Sequence, residues 1–199
     1  IWNAFRLLDG LEIVDQPEAE ESKIANQWFE ARFNQTLVEI NDHYSKFRIS
    51  DALLSTYKLI WDDFCAWYLE MIKPEFGKPI SKVTHQVAID YFEKVLRVLH
   101  PFMPFITEEL YHAIGDRKEK DCIIVAEWPT PVEFNNQILE DAGFAFGVIS
   151  ELRNVRNSKG ISPKTSLDLF FKEGTVLPVS FFSIIQKLSN LNQISEATE

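Results

Sequence analysis

The sequence predicts a mainly α protein, an antiparallel helix bundle followed by a small, truncated α/β piece at the C-terminus. Three observations predict it. Apolar residues recur at i, i+3 and i+4 in successive segments up to about residue 160, the period of a helix face turned to a core. Glycine and proline number only 7 and 9 in 199 residues, too few for a turn-rich β architecture. The hydrophobic fraction is 46 %, with 16 Phe, 5 Trp and 5 Tyr, which supports a sizeable core and excludes general disorder.

The elements follow in order. Ile1 to Arg6 reads as the tail of a helix and runs into an acidic linker, Asp9 to Glu21, containing Pro17. The first long amphipathic helix extends from about Glu21 to Phe47, with Ile24, Trp28, Leu37, Ile40 and Tyr44 on or near one stripe. The second starts from Ser50 as N-cap, with Asp51 favourable in its first turn. Its expected core positions are Leu53, Leu54, Tyr57, Ile60, Trp61, Phe64, Cys65, Tyr68, Leu69 and Ile72, and Pro74 stops it. A third helix fits Ser81 to Leu99, with Val87, Tyr91, Val95 and Val98 along its face.

Pro101 ends that helix, Pro104 suits the first turn of a short fourth one, and Gly115 closes it. Cys122 to Ala126 is a short β-rich run before Trp128-Pro129. A fifth helix, Asn135 to Ser158, carries Ile138, Phe144, Val148, Ile149, Leu152 and Val155, and Gly160 and Pro163 terminate it. Ser166 to Lys172 alternates as a strand does, with Leu167, Leu169 and Phe171 on one side. Val179 to Leu188 reads as a short helix, and the polar Asn190 to Glu199 as a fraying end. The organisation expected is thus a connecting helix and linker over 1–20, a helical domain over 21–160 and the start of a small α/β subdomain over 161–199. One strand and one helix do not make a stable layer, and Ile1 opens without a starter Met; both ends read as cuts from something longer.

Charge and composition narrow the function. The chain holds 30 Asp and Glu against 20 Lys and Arg, a formal charge of −10, which opposes non-specific nucleic-acid binding, since that depends on neutralising phosphates. Any RNA contact must come from a local basic patch. Two cysteines far apart, Cys65 and Cys122, make neither a disulfide framework nor a metal site and fit a reducing cytosol. No uncharged run is long enough to span a bilayer, and no signal peptide is visible; a cytoplasmic protein without a membrane partner is expected.

The standard catalytic constellations fail. The glycines form neither a GxGxxG nor a Walker loop, and no HExxH or GxSxG occurs. His43, His85, His100 and His112 lack metal-ligand spacing, and His100 and His112, which flank the Pro-rich turn, read as packing or capping residues at helix ends. Asp62, Asp63 and Glu70 read as a solvated helix face, and Cys65 as an inert core thiol. No catalytic set, metal site or cofactor site is expected in these residues.

One feature favours RNA. Five cations, Arg153, Arg156, Lys159, Lys164 and Lys172, face Glu151, Asp168 and, one residue on, Glu173, and Arg153 and Arg156 are spaced to share a helix face. Lys46-Phe47-Arg48 sets a ring between two cations at a helix–helix corner. RNA loops are bound by surfaces of this kind, where bases stack on rings and guanidinium planes. The alternative is ordinary surface charge with Phe47 in the core.

The motifs also resemble a family. Trp61-Asp-Asp-Phe-Cys-Ala-Trp-Tyr-Leu-Glu70 with Lys73-Pro74 resembles the WxxFCDWYxE…KP signature in the anticodon domain of valyl-tRNA synthetases. HPFMPFITEELY, His100 to Tyr111, resembles their HPFMPFxTEELW segment, and IWNAFR, Ile1 to Arg6, their WNAxR helix. Ala126 to Pro129 and Arg153 to Pro163 fall in the expected order, so the resemblance covers most of residues 1–170. Ala66 stands where an acid is usual, and Tyr111 where Trp is common. The Pro-Phe-Met-Pro turn is shared more loosely by isoleucine, leucine and methionine synthetases; the Phe-Cys-x-Trp-Tyr string points to valine.

The resemblance implies the class Ia anticodon-binding bundle, whose complete enzyme uses ATP and Mg to join valine to tRNA(Val) and edits mischarged product. Those catalytic and editing domains would precede Ile1, so this stretch itself is non-catalytic, needs no cofactor, contacts tRNA(Val) and no DNA, and is expected to be monomeric. The expected RNA-binding residues are Arg32, Lys46, Phe47 and Arg48 near the corner between the first two long helices, with Arg153 and Arg156 as a second line. Trp61, Phe64, Trp67, Tyr68, Phe102 and Phe105 are assigned to core packing. The equivalent domain of an isoleucyl enzyme and a helical protein-interaction module are the alternatives; a self-contained hydrolase is a distant third.

Overall fold

Aromatic residues on three helices build the main core. In the computed structural model, which describes every residue except 119, 173, 176, 177, 198 and 199, the chain divides into two compact units, residues 1–134 and 135–199.

The first unit is the helical bundle. It contains α1 (Trp2–Asp9), α2 (Glu20–Ser45), a rod made of α3 (Ile49–Lys58), a π-helical stretch (Leu59–Tyr68) and α4 (Leu69–Ile72), then α5 (Lys82–Leu99) and α6 (Pro104–Ala113). The rod packs along α2 through all three of its parts, and only residues 46–48 join the two, so they form an antiparallel helical hairpin. Phe29 of α2 is the hub. Its ring stacks on Tyr68 with centroids 4.7 Å apart, meets Tyr91 edge-on at 5.1 Å and touches Phe64 at 5.3 Å. Trp28, Phe64, Tyr68 and Phe92 are fully buried around it.

A polar chain crosses this core. The Tyr68 hydroxyl donates to Asn26 Oδ1 (2.7 Å), Asn26 Nδ2 donates to Glu18 Oε1 (2.6 Å), and Thr84 Oγ1 donates to the same oxygen (3.0 Å). Ser81 caps α5 by accepting from Thr84 N (3.2 Å). The acidic linker is thereby tied down. It also carries a strand, β1 (Ile13–Val14), paired in parallel with β2 (Ile80–Ser81).

The Pro-rich segment works as read. Pro104 occupies the first turn of α6, and Thr107 donates to Met103 O (2.8 Å) while His100 Nδ1 lies 2.7 Å from Thr107 Oγ1. His85 Nε2 donates to Leu8 O (3.0 Å), joining α1 to α5. His100 therefore acts at a helix end, as expected. Beyond α6, Glu93 of α5 takes ion pairs from Arg97 and Arg117, and the Arg117 guanidinium lies 3.7 Å over the Tyr111 ring.

The second unit is a strand–helix–strand layer on a long helix. It holds α7 (Asn136–Lys159), β3 (Leu167–Phe171), α8 (Phe182–Ser189) and β4 (Leu191–Glu196). β3 and β4 pair in parallel from Leu167↔Leu191 to Phe171↔Glu196, with a bulge after Leu167. Phe181, Ile184, Ile185, Leu139, Ala142, Ala145 and Ile149 are buried. Arg156 closes this unit: only 5 % exposed, its guanidinium donates to Ser162 O (3.0 Å), Thr165 O (2.8 Å), Ser189 O (2.8 Å) and Asn190 O (3.2 Å).

Several expectations are corrected. Trp61 is 57 % exposed and stacks on Tyr57, and Leu53, Leu54 and Tyr57 are exposed too. The rod buries Ala52 and Thr56 instead, because small residues let α3 approach α2 closely. Phe105 is 90 % exposed. Ser50 lies inside α3, whose N-cap is Arg48. Cys122 to Ala126 forms a 3-10 turn at Ile123–Val125, not a strand. Leu191–Glu196 is β4 and not a frayed end, so the α/β piece has its second strand. Burial raises the pKa of the Cys65 thiol, in keeping with an inert role.

All five tryptophans lie before residue 135, so their fluorescence follows the first unit alone. Replacing Arg156→Gln strands buried carbonyls and is expected to cost the second unit about 3 kcal/mol. Amide exchange in α8 and β4 should accelerate roughly a hundredfold, while the urea midpoint read by tryptophan fluorescence stays where it is.

Candidate nucleic-acid interface

The corner between α2 and α3 has an unusual backbone. Phe47 N–H donates to Tyr44 O (3.0 Å) and Arg48 N–H to His43 O (2.8 Å), the paired bonds of a helix terminated by a left-handed residue. That residue is Phe47, at φ +57°. The equivalent residue after α7 is Gly160, at φ +63°, and after α8 it is Asn190, at φ +50°. Glycine takes this conformation without steric cost and asparagine at a small one; phenylalanine pays about 1 kcal/mol. The ring recovers nothing by burial, since Phe47 is 89 % exposed. Strain held at an exposed aromatic residue is a mark of a functional position.

Two cations flank the ring. Lys46 Nζ lies 2.7 Å from the Asp42 carboxylate one turn back. The hydrogen bond from Lys46 is the first cause holding the Asp42 pKa below its usual value, and the charges of Lys46, His43 and Arg48 add to it. Arg48 is exposed at the N-cap of α3. Any anion brought to this corner would have to compete with Asp42 for Lys46.

Arg32 is not part of this corner. It sits roughly 20 Å back along α2, at 1.5 Å per residue, half-buried against the π-helical stretch. Its Nη1 donates to Gln35 Oε1 (2.8 Å) and its Nε lies 3.6 Å from Asp63 Oδ1. Burial raises the Asp63 pKa from 3.8 to about 6, against the attraction of Arg32 and with help from Asp62 and Glu39. Asp63 is thus partly withdrawn from solvent, not on the solvated face expected of it. Asp62 and Glu70 are exposed, as that reading has them.

The second expected line also separates. Arg153 is exposed on α7, whereas Arg156 is buried and committed to four carbonyls, so the two do not present one surface. Their i, i+3 spacing was legible; the loop and the α8–β4 turn that fold over Arg156 were not. Both arginines and Lys187 line one cavity of the second unit, and Lys187 carried no signal because it stands alone in a short apolar helix. Among the described residues no cluster of His, Cys, Asp and Glu could hold a metal ion, and no helix is long and apolar enough to cross a membrane.

Phe47→Gly should raise stability by about 1 kcal/mol, because it relieves the left-handed strain and sacrifices little buried surface; a higher urea midpoint checks this. Asp63 gives a pH signature. Its folded pKa lies above its unfolded one, so the stability from its proton is present below pH about 4 and lost as pH rises through about 6. Asp63→Asn should therefore gain on the unsubstituted protein by on the order of 2 kcal/mol between pH 4 and pH 8, measured by urea unfolding at both.

Comparison with known proteins gives the family. Residues 26–171 match the family model described as the anticodon-binding domain of tRNA ligase. The valine–tRNA ligase of Christiangramia forsetii is 44 % identical over 201 residues, covering 100 % of this chain and 23 % of that protein. The valine–tRNA ligase of Phocaeicola vulgatus is 44 % identical over 100 % of this chain and 22 % of its own length. That of Bacillus licheniformis is 31 % identical over 88 % of this chain and 21 % of its own. The chain spans less than a quarter of the length of these curated relatives. With the family match running from α2 into β3, the chain belongs to the anticodon-binding domains of tRNA ligases.

Proposed function

We propose that this chain holds the anticodon stem-loop of tRNA(Val) as part of a valine–tRNA ligase, a cytoplasmic enzyme that uses ATP and Mg supplied through domains outside these residues, and that it does so as a monomer. The relatives named valine–tRNA ligase support the amino acid. The observation that carries the RNA contact is Phe47, an exposed ring held in a left-handed backbone between Lys46 and Arg48. A loop base stacks on the ring, Arg48 and Lys46 meet the adjoining phosphates, and the rigid hairpin of α2 and α3 fixes their spacing. Arg32 contributes by holding the π-helical stretch through Asp63, and Arg153 supplies a cation on the second unit.

Filter binding tests this with a tRNA(Val) transcript and an anticodon-swapped version at low and moderate salt. The native anticodon should be preferred, with affinity falling as salt rises. Phe47→Ala and Arg48→Gln should each weaken native binding about tenfold, the scale of one stacked base or one charge-assisted contact. Equal binding to both transcripts overturns the anticodon role, and no binding to any tRNA at low salt favours a protein-interaction module.

A further inference from the structure

We propose that the outer face of the rod is an interaction surface covered by an apolar segment of the same polypeptide that lies outside residues 1–199. Ile49, Leu53, Tyr57 and Trp61 follow one another at intervals of four, and Leu54 lies beside them. That spacing sets them on one side of a helix. Each is between 44 and 57 % exposed. The opposite side, with Ala52, Thr56 and Leu59, is buried where the rod packs on α2. The Tyr57 and Trp61 rings stack 6.1 Å apart with 10° between their planes, so the two side chains hold each other in position.

Charge and area identify the occupant. Between Ile49 and Trp61 the chain carries one acid, Asp51, and one base, Lys58. That balance offers a nucleic-acid backbone no excess of cations to neutralise its phosphates. Three of the five apolar residues are aliphatic and give a base no ring to stack on. A protein surface suits both features, because the centres of protein interfaces are depleted in charge. Five half-exposed side chains of this size present roughly 500 Å², or about 1,000 Å² with both sides counted. This falls short of the about 1,600 Å² buried by a stable complex of separate proteins, which argues against a second copy. It lies within the about 600–1,500 Å² found between domains of one chain, where covalent linkage raises the effective concentration of the partner.

The chain spans less than a quarter of the length of the valine–tRNA ligases it matches, so a protein of that kind has ample length to supply the segment. In this the inference rests on the function proposed above, though not on any contact with RNA.

Hydroxyl-radical footprinting tests it on the full-length ligase that contains these residues and on residues 1–199. In the isolated chain at low concentration, Tyr57 and Trp61 should be oxidised readily, while the buried Trp28 is spared as a check on folding. In the ligase without tRNA, both should be oxidised several-fold more slowly, while Phe47 stays reactive. Adding tRNA(Val) should then protect Phe47, and a failure there sinks the anticodon contact alone. Leu53→Glu/Trp61→Glu should restore fast oxidation of Tyr57 in the ligase and leave the urea midpoint of the isolated chain unchanged. Oxidation of Tyr57 and Trp61 in the tRNA-free ligase at the rate of the isolated chain overturns the inference. Protection that arrives only with tRNA(Val) overturns it too and assigns the stripe to RNA. So does slow oxidation in the isolated chain, and a rate that rises on dilution then identifies a second copy as the cover.

Discussion

Tyr68 belongs at once to the apolar core and to the polar chain that crosses it, and the positions of α2, α5 and the rod follow from satisfying both. Its ring stacks on Phe29 at 4.7 Å and meets Tyr91 edge-on at 6.1 Å. Aromatic pairs of this kind contribute about 0.5–1.5 kcal/mol beyond the area they bury. Its hydroxyl must find a partner where it is buried, and Asn26 supplies one that is itself held by Glu18. Glu18 lies in the linker and also takes the Thr84 hydroxyl of α5. Burial accordingly raises the Tyr68 pKa well above its usual value. A rotation of any one helix breaks either the ring stack or the hydrogen-bond chain, so the bundle has one arrangement in which neither is lost.

Tyr68 also closes the π-helical stretch Leu59–Tyr68. The wider turn of a π-helix keeps Ile60, Phe64 and Tyr68, four residues apart, on the buried side while Trp61 stays outside. π-Helical turns commonly sit at functional positions; here the stretch draws Asp63 inward against Arg32. At the other end of the rod, burial of Ala52 and Thr56 brings α3 close to α2, which leaves only residues 46–48 to reverse the chain. The left-handed, exposed Phe47 sits in that tight reversal.

The helices were legible because large apolar residues repeat with helical period, and the Pro-Phe-Met-Pro turn was legible because proline constrains the backbone on both sides. What hydropathy could not show was which large residues lose to small ones. Leu53, Tyr57 and Trp61 outweigh Ala52 and Thr56 in any count, yet packing distance selects the small pair. The strand Leu191–Glu196 hid behind Asn192, Gln193, Ser195 and Glu196, and it forms because Asn190 turns left-handed and delivers the chain alongside β3. Among the candidate RNA residues, Lys46, Phe47 and Arg48 were readable as a cluster because they are contiguous. Arg156 was misplaced because charge alone does not reveal a fold of carbonyls waiting for it. Arg32 is engaged by Asp63 and Gln35, partners that its charge alone did not reveal.

The strings that carry the family resemblance put Phe64, Tyr68, Leu69, Thr107, Leu110 and Tyr111 into the core and leave Trp61 and Phe105 outside it, while the exposed corner is short and acidic residues outnumber basic ones in the chain. This division has a physical logic. A surface of formal charge −10 repels any polyanion, but that repulsion is screened beyond about 8–10 Å at physiological salt. Contacts made within a few ångströms are screened much less. Under the function proposed, an RNA that seats a base on Phe47 and phosphates on its neighbouring cations would gain stacking and charge pairing together, and one that does not would meet mainly repulsion. Under the function proposed, the acidic background weakens every RNA alike, so discrimination would come from the contacts of Lys46, Phe47 and Arg48.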